Sequence, residues 1–198
     1  ARAVAGDAAV GAEVERVAAR AAYERGAPDP GELHHLRLRL ERELGRERTG
    51  RWDLKTGRGG LYDVEFAVQW LQMQRGADPR VRSTETLAAL QSLHDAGYLP
   101  RAPFEALRDG YLFLRRLEQR LRVVHGAADT AIDARSPGLE KLARRLGVAA
   151  APGLGEAESL LDEYQDVTEQ VRAAYLGVLG LSDGARPADR PPPAAGLL

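Results

Sequence analysis

Apolar residues recur at steps of three and four along almost the whole chain, and this spacing most constrains what the chain can fold into. It is the period of one face of an α-helix, whereas a half-buried strand would alternate apolar and polar residues. Gly and Pro, which end helices, separate the periodic segments. The sequence therefore predicts an all-α helical bundle of about seven helices, over residues 8–25, 32–44, 63–74, 83–96, 103–125, 138–146 and 156–179.

Two of these segments carry specific expectations about burial. The leucines of segment 32–44 form one predicted buried stripe, made of Leu33, Leu36, Leu40 and Leu44. The charged residues predicted to face elsewhere are Arg37, Arg39, Glu41 and Arg42. Segment 63–74 is apolar over much of its circumference and is predicted to be the central core helix, with Asp63 as its N-cap or first-turn acid.

Charge and composition exclude several functional classes. Lys plus Arg total 28 against 29 Asp plus Glu, a net charge of -1, so no bulk attraction to nucleic acid or to an anionic membrane is expected. Cysteine is absent, which excludes thiolate metal sites and fits a cytoplasmic location. No apolar run approaches the ~20 residues of a membrane helix. The histidines show no ligand spacing, so no metal site is predicted at His34, His35, His94 or His125.

The two ends of the chain differ in character. The sequence starts at Ala1 without an initiator Met, which suggests a fragment of a longer polypeptide. Residues 184–198 are rich in Pro, Ala and Gly and cannot bury enough apolar surface to become ordered. We therefore expect a helical domain over residues 1–183, followed by a disordered tail that resembles a natural C-terminus.

The stretch KTGRGG, residues 55–60, combines three glycines with two basic residues immediately before a predicted helix. Gly57, Gly59 and Gly60 suggest a positive φ or a close backbone approach. The N–H groups at a helix start favour an anion, and Lys55 and Arg58 add positive charge. The loop is not a Walker motif, because no strand is predicted before it and the G-K-[ST] ending is missing. Phosphate contact and a purely structural turn both remain open.

Two acids follow the loop at a separation of two residues. On a helix, Asp63 and Glu65 would point about 200° apart, so they cannot easily share a metal. Asp63 suits a capping role. Glu65 stands in an apolar helix, and a buried Glu needs a partner such as Lys55 or Arg115.

Segment 103–125 carries a cluster of arginines around one acidic residue. Four arginines surround Glu118, at positions Arg115, Arg116, Arg120 and Arg122. They form either solvated faces and i,i+4 pairs or a surface for an acidic partner or nucleotide. No nucleophile with its base and no spaced carboxylate cluster is evident, so no catalytic residue is assigned and the chain alone is expected to be inactive.

The run DLKTGRGGLYDVEFAVQWLQ, residues 53–72, resembles a signature of the glutamine synthetase adenylyltransferase family, K-x-G-x-G-G-[IL]-x-D-[IV]-E-F-x-x-Q. The matching residues are Lys55, Gly57, Gly59, Gly60, Leu61, Asp63, Val64, Glu65, Phe66 and Gln69. ARAVAGD, LRLRLERELG, VRSTETLAAL, YLFLRRLEQRLR and LARRLG resemble neighbouring blocks in the same order, so the likeness covers about 1–179. The chain departs from the pattern at Glu85, Gln119 and Arg122.

This resemblance implies a helical domain that follows a nucleotidyltransferase domain in a two-headed enzyme. One half of such an enzyme attaches AMP from ATP, with Mg²⁺, to a tyrosine of glutamine synthetase, and the other half removes it by phosphorolysis. Glutamine and the PII signalling protein set the balance between the halves. The Pro-rich end implies the last helical domain, in the adenylylating half, with the catalytic acids upstream and no tightly bound cofactor in this fragment.

In that setting, we expect Lys55, Arg58 and the N–H groups of residues 57–60 to lie against the cleft of the catalytic domain and to contact nucleotide phosphate or the metal site. Asp63 would cap the helix, and Glu65 would anchor the loop through a buried pair with a basic side chain. Two alternatives stay open: a non-catalytic module that binds PII or glutamine synthetase, and the equivalent domain of a PII uridylyltransferase.

Overall fold

A computed structural model describes residues 3–45, 47–125 and 131–182 of the chain. The all-α prediction is confirmed, with seven α-helices in these residues. In chain order the elements are α1 (Ala8–Tyr23), α2 (Pro30–Leu44), β1 (Arg51–Asp53), α3 (Leu61–Gln74), a 3-10 turn (Pro79–Val81), α4 (Thr86–Asp95), α5 (Arg101–His125), β2 (Ala131–Asp133), α6 (Leu139–Leu146) and α7 (Glu156–Leu179). The predicted tail at 184–198 lies outside the described residues, as does the predicted domain end at 183.

Local capping explains where several helices begin and end. The Asp7 carboxylate accepts hydrogen bonds from the N–H groups of Ala9 and Val10, and Asp29 does the same at the start of α2. Each bond satisfies a backbone donor that has no partner within the helix. Gly147 and Gly180 end α6 and α7 in the left-handed conformation. The predicted bounds of α7 are therefore confirmed at both ends.

The sequence pattern did not predict a short two-stranded sheet. β1 pairs antiparallel with β2, and Trp52 lies opposite Ile132. The expectation of no strand before the glycine loop, residues 54–60, was wrong, because β1 ends at Asp53. Three-residue strands are too short to show a period of two, and the pairing partner lies about 80 residues away. The sheet fixes the entry to the glycine loop.

Helices α5 and α7 form the central pair of the bundle. They approach closely where Gly110 faces Val171, since a Cβ at Gly110 would overlap the Val171 side chain. One apolar cluster around Leu107 and Tyr175 joins this pair to α3 and α4. A second cluster joins it to α6 and β2 and contains Leu54, Leu61, Leu117 and Tyr164. Since α3 contributes to both clusters, its predicted place in the core is confirmed, and the glycine loop lies where they meet.

Helix α2 packs on a different face from the one predicted. Leu36 is 39% exposed and Leu44 is 52% exposed, whereas Arg37 is fully buried and Glu41 is 9% exposed. The leucine stripe is therefore only partly buried, and the prediction that Arg37 and Glu41 face away from the core was wrong. One buried carboxylate from α3, Asp63, and one guanidinium from α7, Arg172, compensate these buried charges. Across the described residues, no helix is both long and apolar enough to cross a bilayer.

Candidate functional site

The glycine loop, residues 54–60, connects β1 to α3 and is built on close backbone contacts. Gly59 has a φ of 68°, and a Cβ there would overlap the Thr168 carbonyl of α7. At Gly60 a Cβ would lie 2.8 Å from the carbonyl oxygens of Leu54 and Lys55. Real Cβ atoms do not tolerate such distances, so glycine is required at both positions. The predicted positive φ and close approach are confirmed.

The N–H groups of the three glycines in this loop donate to acceptors within the protein. Gly57 N donates to Asp53 O at 3.1 Å, and Gly60 N donates to Gly57 O at 3.0 Å. Gly59 N donates to Asp63 Oδ2 at 2.9 Å. A phosphate could use these donors only by displacing the bonds that shape the loop. In this conformation the N–H groups of the three glycines therefore form no anion cradle.

Asp63 lies in the first turn of α3 and has no exposed surface. The N-cap position itself is Gly60, which has no capping side chain. Besides accepting from Gly59 N, the Asp63 carboxylate lies 2.6 Å from Arg37 Nε and 3.2 Å from Arg172 Nη1. Asp63 is thus a first-turn acid, as one of the two predicted options stated, and its principal partners are two buried arginines.

A buried ion network brings two cations together with two carboxylates. The cations are Arg37 and Arg172, and the carboxylates are Glu41 and Asp63. Glu41 Oε2 lies 3.4 Å from Arg37 Nη1 and 3.8 Å from Arg172 Nη1. Arg37 Nη2 also donates to the Gly57 carbonyl at 2.6 Å. The Arg37 Nε contact with Asp63 is close but lacks the alignment of a hydrogen bond. The network joins α2, α3 and α7 around the glycine loop.

Lys55 takes part in a second charged group, which we call the Glu118 centre: Lys55, Arg115, Glu118 and Arg122. Glu118 is 1% exposed, and its carboxylate lies 2.7 Å from Arg115 Nη1 and 2.8 Å from Arg122 Nη2. Lys55 Nζ is 3.6 Å from Glu118 Oε1, and the Lys55 side chain is 35% exposed. The glycine loop therefore presents a cation beside two arginines of α5.

Glu65 is half-buried beside the Glu118 centre. Burial raises the pKa of its carboxyl group, while the positive charges of Arg115 and Lys55 act in the opposite direction. The predicted partners are near, but among the described residues their ion pairs are made with Glu118, so Glu65 does not form the expected buried pair. Arg58 is also half-buried, on the same loop.

The histidines have local roles where their side chains are described. His34 Nδ1 lies 3.2 Å from the Tyr175 hydroxyl, and His94 Nδ1 lies 2.9 Å from the Leu99 carbonyl oxygen. Within residues 3–45, 47–125 and 131–182, no three His, Asp or Glu side chains are grouped so that they could hold a metal ion.

Comparison with known proteins places this arrangement in a family. The family model described as GlnD PII-uridylyltransferase matches residues 34–179, which include the glycine loop, the buried ion network and the Glu118 centre. The chain belongs to the GlnD PII-uridylyltransferase family. Helix α1 and the described residues after α7 lie outside the matched region.

Curated proteins that are similar to this chain carry the name bifunctional glutamine synthetase adenylyltransferase/adenylyl-removing enzyme. The Hahella chejuensis protein is 34% identical over 86% of this chain and 18% of its own length. The Streptomyces avermitilis protein is 36% identical over 77% of this chain and 15% of its own. The Mycobacterium avium protein is 31% identical over 91% and 18%. The resemblance seen at residues 53–72 is confirmed, and the chain spans less than a fifth of each of these relatives.

Glu47 lies against the glycine loop, although the sequence alone did not indicate a role for it. The residue as a whole is exposed, but its carboxylate turns inward: Oε1 accepts a 3.3 Å hydrogen bond from Asp53 N and contacts Gly57. Burial raises the pKa of Glu47 to about 7; the hydrogen bond from Asp53 N acts in the opposite direction, and the negative charges of Glu41 and Asp53 add smaller upward contributions. Only the folded loop could reveal this carboxylate, because the sequence places it in an ordinary polar connection.

The raised pKa of Glu47 makes the free energy of unfolding depend on pH. Between the ordinary carboxyl pKa of 4.5 and about 7, the folded state holds a proton that the unfolded state has lost. Stability contributed by this group is therefore present at low pH and lost as pH rises through about 7. We expect Glu47→Gln to remove this slope between pH 5 and pH 8 in urea unfolding. Glu43→Gln, at an exposed site on α2, should keep it, and an unchanged slope in Glu47→Gln would contradict the prediction.

Proposed function

We propose that this chain is a helical accessory domain of an enzyme that adenylylates glutamine synthetase and, in its other half, deadenylylates it. One observation carries the proposal. Most of this chain matches a short part of the length of enzymes with that name. A segment of this kind is one domain among several, and the transferase chemistry would belong to a separate nucleotidyltransferase domain. The enzyme would act in the cytoplasm, with glutamine synthetase as substrate and PII as regulator.

ATP and Mg²⁺ would be the cofactors of the whole enzyme. The described residues bring together no carboxylate set suited to Mg²⁺, so the metal would be held by the catalytic domain. The side chain of Lys55 fits a phosphate contact, because it is partly exposed and is held in place by Glu118. In the assembled enzyme, the glycine loop would hold Lys55 toward the nucleotide, and the buried network at Asp63 would hold the loop.

Substitution of Lys55 tests this role in the intact enzyme. We expect Lys55→Ala to lower the rate of glutamine synthetase adenylylation at least about tenfold, because a charge-assisted contact to phosphate is worth about 1.5–3 kcal/mol. Lys141→Ala, which removes the exposed lysine of α6, is the matched control and should keep full activity. Thermal unfolding of both variants should match the unsubstituted protein. An unchanged adenylylation rate in Lys55→Ala would make the loop a structural element only.

A second candidate follows from the name of the matching family model, PII-uridylyltransferase. In that case the parent enzyme would transfer UMP to PII rather than AMP to glutamine synthetase. Incubating the intact enzyme with labelled ATP or UTP and with each acceptor protein separates the two candidates. Label from ATP on glutamine synthetase supports the first candidate, and label from UTP on PII supports the second.

A further inference from the structure

The Glu118 centre carries more positive charge than its own carboxylate can neutralise. Arg115 and Arg122 are spaced i,i+3 and i,i+4 from Glu118 on α5, so this helix alone supplies both oxygens of the carboxylate with a cation. Lys55 then adds a third cation from the glycine loop. With Glu65 as the other nearby acid, three positive groups face two carboxylates. A third cation is more than the burial of Glu118 requires.

The fold holds these like charges together although they repel one another. The Lys55, Arg115 and Arg122 side chains are 35%, 42% and 45% exposed, so each could turn into solvent if only hydration mattered. Instead all three converge on a carboxylate that is almost completely buried. The Arg115 guanidinium also lies 5.9 Å from the centre of the Tyr111 ring. A bound anion would relieve the repulsion, and the site is already organised for one.

Unused donors remain on the two arginines. Each guanidinium contacts Glu118 through a single terminal nitrogen, Arg115 Nη1 or Arg122 Nη2. Their other nitrogens make no hydrogen bond to protein in the described part of the chain. A guanidinium presents several N–H donors in a planar fork that matches the oxygens of a phosphate, and the Lys ammonium adds a compact charge.

We propose that the Glu118 centre is an anion site that binds the phosphate chain of a nucleoside triphosphate through Arg115, Arg122 and Lys55. The inference deepens the proposed function, on which it rests for the choice of a nucleotide as the natural source of the phosphates. Glu118 is a positioning residue, since it holds the cations in place and does not itself contact the ligand. A chain of phosphates fits better than a single one, because it carries several negative charges along its length.

Calorimetric titration of the 198-residue chain tests the proposal, with tripolyphosphate, ATP and AMP as probes. We expect tripolyphosphate and ATP to bind with a Kd on the order of 1 mM or tighter, and AMP about tenfold more weakly, since it carries a single phosphate. Raising the salt concentration should weaken the binding of both tripolyphosphate and ATP. Binding of ATP without any binding of tripolyphosphate would overturn the proposal, because recognition would then lie in the base and sugar.

Matched double variants on α5 separate this site from general charge. Arg115→Gln with Arg122→Gln should weaken tripolyphosphate binding at least about tenfold, a loss of about 1.4 kcal/mol in binding free energy. Arg116→Gln with Arg120→Gln removes the same charge from exposed positions of the same helix and should change binding less than about twofold. Equal losses in the two double variants would overturn the proposal. Binding of polyglutamate to the chain without binding of tripolyphosphate would also overturn it, in favour of an acidic protein segment as the ligand.

The binding test and the activity test separate the anion site from the proposed function, because either proposal can fail while the other stands. If the Glu118 centre binds tripolyphosphate while Lys55→Ala leaves glutamine synthetase adenylylation unchanged, the anion site stands and its proposed use in that reaction fails. If Lys55→Ala lowers adenylylation but neither double variant affects binding of tripolyphosphate, the proposed function stands and the anion site at the Glu118 centre is overturned.

Discussion

Asp63→Asn is expected to lower the free energy of unfolding by about 3–5 kcal/mol, the cost of breaking a buried ion pair by removing one partner. Asp63 has no exposed surface, and it faces Arg37 and Arg172, which are 0% and 2% exposed. Without its charge, two buried arginines would face Glu41 alone. The substitution also replaces one carboxylate oxygen with an NH2 group that only donates, so a single oxygen would remain to serve Gly59 N and both arginines.

Urea unfolding measures this loss, with Glu13→Gln as the matched control. Glu13 forms an exposed i,i+3 pair with Arg16, and removing such a pair costs about 0–1 kcal/mol. The double variant Asp63→Asn with Arg172→Gln restores the balance of charge and should recover part of the loss. A loss below about 1 kcal/mol in Asp63→Asn would show that water or rearrangement compensates the arginines.

The position of α2 depends on this ion network. Arg37 and Glu41 are the buried residues of α2, whereas Leu36 and Leu44 remain substantially exposed. Leu33 packs against the core from a half-buried position. Since the apolar contribution of α2 is small, loss of the network should loosen α2 first. It should also release the Gly57 carbonyl, which accepts a hydrogen bond from Arg37.

The helices could be predicted because their signals are local. A period of three to four residues over long segments identified all seven, and capping residues fixed several ends. Asp7, Gly147 and Gly180 act within their own helix and a few flanking residues, so a single sequence contains all the information about them. The starts of α3 and α4 shifted by two or three residues, because Gly60 and Glu85 hold the N-cap positions without a side-chain bond.

The buried face of α2 could not be predicted because its partners are distant in sequence. Periodicity favours the leucines, yet Asp63 and Arg172 make the charged face the buried one. A buried charge is acceptable only with a partner, and nothing local shows that one exists. The same reasoning applies to β1, whose pairing partner β2 follows α5. These features appear only when the chain is folded.

The candidate site shows the same division between local and distant contacts. The three glycines indicated a positive φ or a close backbone approach from the sequence alone, whereas the internal use of their N–H groups depends on Asp53 and Asp63 in three dimensions. The pairs of Glu118 with Arg115 and Arg122 follow from helical spacing. The pair with Lys55 does not, because it joins the loop to the middle of α5.

Gly59→Ala is expected to destabilise the protein by about 2–5 kcal/mol. The left-handed conformation costs a residue with a Cβ about 1–2 kcal/mol. Overpacking adds about 1–3 kcal/mol, because the new methyl group would overlap the backbone of Thr168, which cannot rotate away. Relieving this overlap requires the loop to move away from α7. Such a shift would disturb the hydrogen bond from Gly59 N to Asp63 and the position of Lys55.

Two other glycines separate the contributions to this loss. Gly97 has a φ of 76° with nothing within 4 Å of a Cβ, so Gly97→Ala measures the backbone cost alone. Gly177 lies within α7 with open space around it, and Gly177→Ala should stabilise the protein by about 1 kcal/mol. If urea unfolding gave equal losses for Gly59→Ala and Gly97→Ala, the contact with Thr168 would contribute nothing. A larger loss at Gly59 would show that α7 fixes the loop by direct backbone contact, and therefore that the position of Lys55 depends on the packing of the whole bundle.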